Sequence, residues 1–293
     1  MLFPAWNLLP SGWTWAGTAG PLDSQKSTNL TDRLDAVEST SWNGVGLLYP
    51  DILKIREGCG YEMFANMCRS KKLAHIEIEL LTEWWKTDSD ISRQESIMLD
   101  AAKKLGAAHI KVSPKISETR TTERPDRSFI DALERIAHLA EDASVKLALE
   151  PMAMSNVPDL ESARQILDRI SSPSLGLLLD TWHLGISGVS SNEIRRFIDI
   201  SEIFAVELSG IARTPNMSLR KTSASFRALP DRSDIQIEQF VSTLNQIGWT
   251  GPWAVEVMSP QSANEPLEDF LRECRSAAIR LLEFALVPYR MKN

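Results

Sequence analysis

Four apolar runs in the second half of the chain each carry one carboxylate: LALEP places Glu150, LLLDTWH places Asp180, FAVELSG places Glu207 and WAVEVM places Glu256. A charged residue inside such a run is costly to bury unless it is paired or bound to a metal, so four of them point to a shared purpose. Carboxylates that converge without compensation repel and raise one another's pKa, whereas a divalent cation holds them ionised. Hard oxygen ligands suit Mn2+ first and Mg2+ second, ahead of zinc. An open coordination position then admits substrate hydroxyl or carbonyl oxygens, and an enediolate formed when a carboxylate removes a proton beside a carbonyl is stabilised there. His75, His109, His138 and His183 are the only histidines, so any metal centre must lean on oxygen.

Four such groups meet only if strands deliver them to one mouth. From about residue 43 onward, short β-branched or Leu-rich runs alternate with longer amphipathic stretches, the pattern of repeated βα units closing a parallel sheet. The pattern predicts strands over 2–8, 44–49, 75–80, 109–113, 145–150, 176–180, 204–208 and 254–258. Helices are predicted over 31–41, 62–72, 92–105, 128–143, 159–170, 191–198, 235–247 and 266–286. Eight of each make a single (β/α)8 TIM barrel spanning residues 1–293, a length that suits one such domain. Ile130, Leu133, Ile136, Ala137 and Ala140 form one apolar stripe to lie on that barrel. Asn29, Thr31 and Asp159 read as helix caps. Two long connections, 114–127 and 209–234, follow strand ends and are expected to overhang the catalytic face without structure of their own.

The segments LALEPMAMSN, LGLLLDTWHLG, IFAVELSG followed by Arg213, and FRALPDRSDIQIEQFVSTLNQIGWTGPWAVEV resemble, in order and spacing, the successive blocks of the sugar phosphate isomerase/epimerase (xylose isomerase-like) family. The resemblance is close over roughly the last half of the chain and rests on strand and helix pattern in the first half. It implies Glu150, Asp180 and Glu256 as metal ligands, with Glu150 and Glu256 as the pair that moves protons. It also implies His183 and Arg213 as substrate contacts. The strand-seven histidine ligand of that family is Glu207 here, the aspartate that usually ends the block is Gly210, and the Pro-Gly-acidic-Gly turn has become Pro230-Asp231-Arg232-Ser233. Glu207 either joins the metal or is ion-paired to Arg213, Arg220 or Arg227. Lys111, facing inward if HIKVSP alternates, either binds a substrate oxygen or pairs with a neighbouring acid. Trp182, between Asp180 and His183, is the aromatic expected to touch ligand; Trp6, Trp13, Trp15, Trp84 and Trp85 divide between packing and ligand contact. Glu77, Glu79 and Glu83 are expected to be helix-facing or rim charges.

The resemblance implies an isomerase or epimerase acting on a sugar, keto-sugar or cyclitol. The same residues serve a lyase such as an inosose or dehydroshikimate dehydratase, or a C-glycoside-cleaving elimination, because these outcomes differ in substrate shape. Altered strand-seven chemistry leaves a third possibility, a barrel that has lost catalysis and serves as a binding subunit. With 32 Lys plus Arg against 39 Asp plus Glu, a net charge of −7 and no basic stripe, nucleic acid is excluded as a partner, and with it the abasic-site endonucleases that share the barrel. No stretch reaches the roughly 18 apolar residues of a membrane span. Cys59, Cys68 and Cys274 form no CxxC pair, which argues against a disulfide framework or thiolate zinc site and fits a cytoplasmic location. The absence of a Gly-rich phosphate cradle favours an unphosphorylated substrate, and a homo-oligomer is compatible with everything above.

Overall fold

A computed structural model describes residues 6–16, 29–214 and 216–286. Its barrel strands are β1 (Leu8–Pro10), β2 (Gly44–Leu48), β3 (His75–Leu81), β4 (Ile110–Val112), β5 (Leu147–Leu149), β6 (Leu175–Asp180), β7 (Ile203–Leu208) and β8 (Trp253–Val255). They are paired in parallel in the order β1-β8-β7-β6-β5-β4-β3-β2. The seam between β1 and β2 is closed by Asn43, whose backbone N–H donates to Leu8 O at 2.8 Å while its side-chain Oδ1 accepts from Leu8 N at 3.1 Å.

Eight helices follow the strands: α1 (Leu30–Ser39), α2 (Tyr61–Ser70), α3 (Ser89–Leu105), α4 (Arg127–Ala143), α5 (Leu160–Ile170), α6 (Ser191–Phe197), α7 (Glu238–Gln246) and α8 (Leu267–Leu286). The expected apolar stripe of α4 is buried, and Asn29 and Asp159 cap α1 and α5 through their side chains, satisfying N–H groups the first turn leaves free. The strand expected over 2–8 is found at Leu8–Pro10, and its start lies outside the described residues. Further short helices, Gly12–Trp15, Tyr49–Glu57, Thr181–Ser187, Leu219–Ser225 and Pro260–Asn264, sit in connections that sequence periodicity leaves blank.

The connection over 209–234 is built rather than unstructured. Gly210–Ile211 pairs antiparallel with Arg227–Ala228, and the helix Leu219–Ser225 lies between them. Arg220 of that helix donates its backbone N–H to Glu118 O and pairs with the Glu118 carboxylate at 2.8 Å, so the two long connections meet over the barrel mouth.

Candidate active site at the barrel mouth

Alternation along the strands decides what the barrel encloses. Ala148, Leu178 and Ala205 form a small interior cluster, and the next inward positions on the same strands are Glu150, Asp180 and Glu207. Asp180 pairs in register with Glu207, and Glu207 with Ala254, two residues before Glu256. Lys111 is level with Ala148, one layer below Glu150, and its long side chain rises through that layer. Its Nζ ends 2.7 Å from Glu207 Oε2, 2.8 Å from Glu256 Oε1, 3.2 Å from Glu150 Oε2 and 4.0 Å from Glu79 Oε2.

A second cation enters from the connection after β7. Arg227 Nη1 bonds Asp180 Oδ2, Nη2 lies 2.9 Å from Glu256 Oε2, and Ser223 holds the guanidinium from behind through its backbone oxygen at 2.8 Å and its hydroxyl at 3.1 Å. Glu256 thus has one oxygen on Lys111 and the other on Arg227. Glu79 Oε1 accepts the Gly12 backbone N–H at 2.5 Å. Gly46 is required beside it, since a Cβ at 46 would lie 2.2 Å from that oxygen.

Five buried carboxylates therefore face two buried cations. Burial pushes the Glu150 carboxyl up to about 8, with Glu256 and Asp180 adding to the rise and Lys111 opposing it. Glu79 is pushed up to about 7 by burial, against the pull of Lys111, and burial together with Glu256 drives Glu207 well above the ordinary range. Lys111 goes well up despite burial, because Glu150, Glu207 and Glu256 surround it. Burial and the neighbouring Arg227 hold His183 well below its usual value, so the ring is neutral; Nδ1 accepts the Ala153 N–H at 3.4 Å and Nε2 approaches Glu150 Oε1 at 3.5 Å.

A divalent cation fits this donor set. One oxygen from each of Glu150, Asp180, Glu207 and Glu256 lies within 4.8 Å of all the others, and Glu150, Asp180 and His183 form a second such group. Glu207 Oε1 is buried without a hydrogen bond, and the Glu150 oxygens make no well-formed one beyond the 3.2 Å ion pair of Oε2 with Lys111, an arrangement that a cation would relieve.

A cavity of about 360 Å3 opens above. Its floor is Glu79, Lys111, Glu150, His183, Arg227 and Glu256, and its walls include Trp13, Tyr49, Ile116, Met152, Met154 and Met258. Asp180 and Glu207 lie behind the floor. Of the residues expected from sequence, Glu150, Asp180, Glu207, Glu256, Lys111 and His183 are brought together. Arg213 is not: it is exposed and away from the cavity, its backbone N–H donating to Asp234 Oδ2 at 2.6 Å. Trp182 is fully buried, its ring 4.8 Å from that of His183 and 5.3 Å from the Arg227 guanidinium, and it does not line the cavity. Trp84 and Trp85 pack on each other and on Phe129, whereas Trp13 reaches the cavity.

Glu77 and Glu79, expected to be helix-facing or rim charges, are buried inside the barrel at 2% and 1% exposure. The signal for this was present: in HIEIELL the acids alternate with Ile76 and Ile78, and on a strand covered by helices outside, the second face is the interior. Glu207 pairs with Lys111, not with Arg213, Arg220 or Arg227. Arg227 carries no local sign of its role.

A parallel (β/α)8 barrel whose strand ends gather carboxylates beneath a small-molecule cavity defines a class of barrel proteins with a polar site at the C-terminal mouth. Within that class the chain belongs to the xylose isomerase-like TIM barrel family, which it matches over residues 55–276. It is 22% identical over 188 residues to the inosose isomerase of Halalkalibacterium halodurans, covering 63% of this chain and 65% of that protein. It is 23% identical over 246 residues to the 3-dehydroshikimate dehydratase of Pseudomonas aeruginosa, covering 80% of this chain and 37% of that protein. The chain thus spans under two thirds of either relative. Among solved structures, the IOLI protein with a bound zinc atom superposes with a TM-score of 0.79 at 18% identity, over 96% of this chain and 99% of that one. By name, the two relatives are enzymes, an isomerase and a dehydratase. Among the described residues no helix is long and apolar enough to cross a membrane.

Proposed function

We propose that the protein is a divalent-metal-dependent isomerase or epimerase of a sugar, keto-sugar or cyclitol, with Glu150 and Glu256 transferring the proton beside the carbonyl. The observation that carries this reading is that these two carboxylates face the cavity while sharing one cage with Asp180 and Glu207 behind them. Glu150, Asp180, Glu207 and Glu256 would hold the cation, Mn2+ ahead of Mg2+ on the oxygen donors; the zinc of the IOLI structure supports a divalent site without fixing its metal. When bound, that ion neutralises negative charge developing on a substrate oxygen.

The chain's own residues supply the rest. Glu256, with an oxygen on each of Lys111 and Arg227, is fixed in orientation to take the proton. Glu150, the other carboxylate on the cavity floor, is placed to relay that proton to the neighbouring carbon or oxygen. His183 lines the floor as a donor to a substrate oxygen, while Lys111, its ammonium turned to Glu207, Glu256 and Glu150, offsets the charge of the acids.

A second reading is favoured by the dehydratase relative, which matches a larger share of this chain than the inosose isomerase does. If the carbon next to the carbanion carries a hydroxyl, the electron pair left by the departing proton forms a double bond and breaks the C–O bond, and the hydroxyl leaves as water by taking the proton that Glu256 removed. Incubating an inosose with Mn2+-loaded protein in D2O separates the readings by NMR. Deuterium at the carbon beside the carbonyl with carbon skeleton intact indicates isomerisation, and loss of water indicates elimination. Glu256→Gln should abolish both, and unchanged exchange removes Glu256 as the base.

A further inference from the structure

We infer that the substrate is amphipathic: a hydroxylated ring carrying a covalently attached apolar group of about the size of a benzene ring, with the upper cavity as the site for that group. The inference rests on the proposed function for the direction in which the polar end points. The cavity is divided by height. Its carboxylates and Lys111 lie on strands or their ends at the floor, joined there by Arg227 from the connection after β7, while Trp13, Tyr49, Ile116, Met152, Met154 and Met258 come from the connections above and form the wall, with Arg220 at the rim.

A free sugar or cyclitol carries a hydroxyl on nearly every carbon. Seated on the floor, it would turn its outer hydroxyls toward sulfur, methyl and ring faces, losing water partners without replacement. The polar exceptions do not supply enough partners. The Ser223 hydroxyl is already bonded to Arg227, which leaves Thr82 and the Tyr49 hydroxyl among uncharged side-chain hydroxyls lining the cavity, and Arg220 at the rim is paired with Glu118.

The apolar wall is also held in place. Met152 donates its backbone N–H to Val157 O at 3.0 Å and accepts from Ser155 N at 2.9 Å, and Met154 O accepts from Ser117 N at 2.7 Å. Ile116, opposite, is fixed by an antiparallel bridge to Ser155. A wall preorganised in this way with thioether side chains, which adapt to aromatic and irregular apolar shapes, binds an apolar group at little ordering cost.

The test uses calorimetric titration of the Mn2+-loaded full chain carrying Glu256→Gln, so that nothing turns over. The ligands are D-glucose, D-galactose, D-mannose and myo-inositol, and the phenyl glycosides of the three sugars. At least one phenyl glycoside should bind about tenfold or more tightly than its free sugar. Met152→Gln and Met258→Gln, made separately, should erase that preference while leaving Mn2+ retention unchanged. Equal affinities within every pair, failure of all phenyl members to bind, or wall substitutions that weaken free and phenyl-bearing ligands alike would each overturn the inference. Retained exchange of inosose without any phenyl preference sinks this inference alone; a phenyl preference in an Mn2+-loaded wild-type protein that neither exchanges nor eliminates on an inosose or on the keto derivative of the preferred phenyl glycoside sinks the proposed chemistry alone.

Discussion

Replacing Lys111 by Met removes an ammonium that touches three buried carboxylates within 3.2 Å, and keeps most of the side chain's apolar stem. Breaking a buried ion pair by deleting one partner typically costs ~3–5 kcal/mol, and in a chain of this size each kcal/mol moves Tm by ~2 °C. The metal-free variant should therefore melt ~6–10 °C below wild type in EDTA. Mn2+ should do the opposite of what it does to most damaged sites. Without the ammonium, a divalent cation is repelled less, and two unit charges 4 Å apart interact by roughly 4 kcal/mol at an effective dielectric constant near 20. Even a third of that tightens Mn2+ binding about tenfold. The assay pairs differential scanning calorimetry in EDTA and in Mn2+ with calorimetric titration of the metal. If the variant melts like wild type in EDTA and binds Mn2+ no more tightly, Lys111 does not balance the cage. The double variant Lys111→Met, Glu207→Gln removes the ammonium together with its nearest acid and should recover most of the lost stability, which separates charge imbalance from damaged packing.

Three further outcomes follow from the same structure. Glu150 keeps its proton up to about 8 in the folded chain, against 4.5 ordinarily, so the metal-free protein should lose stability as pH rises between those values, where the unfolded chain has already released that proton; Mn2+ binding must expel it, so Mn2+ affinity should increase from pH 6 to 8, and calorimetry showing a pH-independent Kd would refute this. Arg33→Ala breaks a buried pair in which Nη1 lies 2.7 Å from Asp51 Oδ1 and Nε donates to Trp15 O at 2.9 Å; it should cost ~3–5 kcal/mol in denaturant unfolding and leave Mn2+ affinity unchanged. Gly46→Ala drives a methyl against Glu79 Oε1 and against Gly12 N at 2.5 Å, which should destabilise by ~1–3 kcal/mol or more, and a Tm within 1 °C of wild type would show that Glu79 is free to move aside.

The barrel was legible from periodicity because its strands and amphipathic helices are local patterns: the apolar stripe of α4 and the caps at Asn29 and Asp159 fall where the sequence puts them. The acids at 150, 180, 207 and 256 were equally legible, each a charge in an otherwise apolar run. What escaped is what depends on distant contacts. Lys111 lies 96 residues from Glu207 and 145 from Glu256, and no local pattern says which acid an inward lysine meets. Arg227 reaches Asp180 from a connection whose short ribbon and helix are held by contacts to Met258 and Glu118, not by any periodic run. Glu79 points inward rather than to a helix or the rim because helices cover the outside of its strand and its partner, the Gly12 N–H, comes from 67 residues away.

The seam at Asn43 has a consequence for how the molecule is made. The first strand pairs with the last, not with its neighbour in sequence, and Thr14 reaches Val255 across 241 residues. A ribosome adding ~5–20 residues per second thus leaves β1 without its ladder partner for tens of seconds while seven strands emerge behind it. Ring closure must wait for that strand, and the hydroxyl of Thr14, bonded to both Val255 O and Val257 N at 2.8 Å, clasps the two ends of the ladder together.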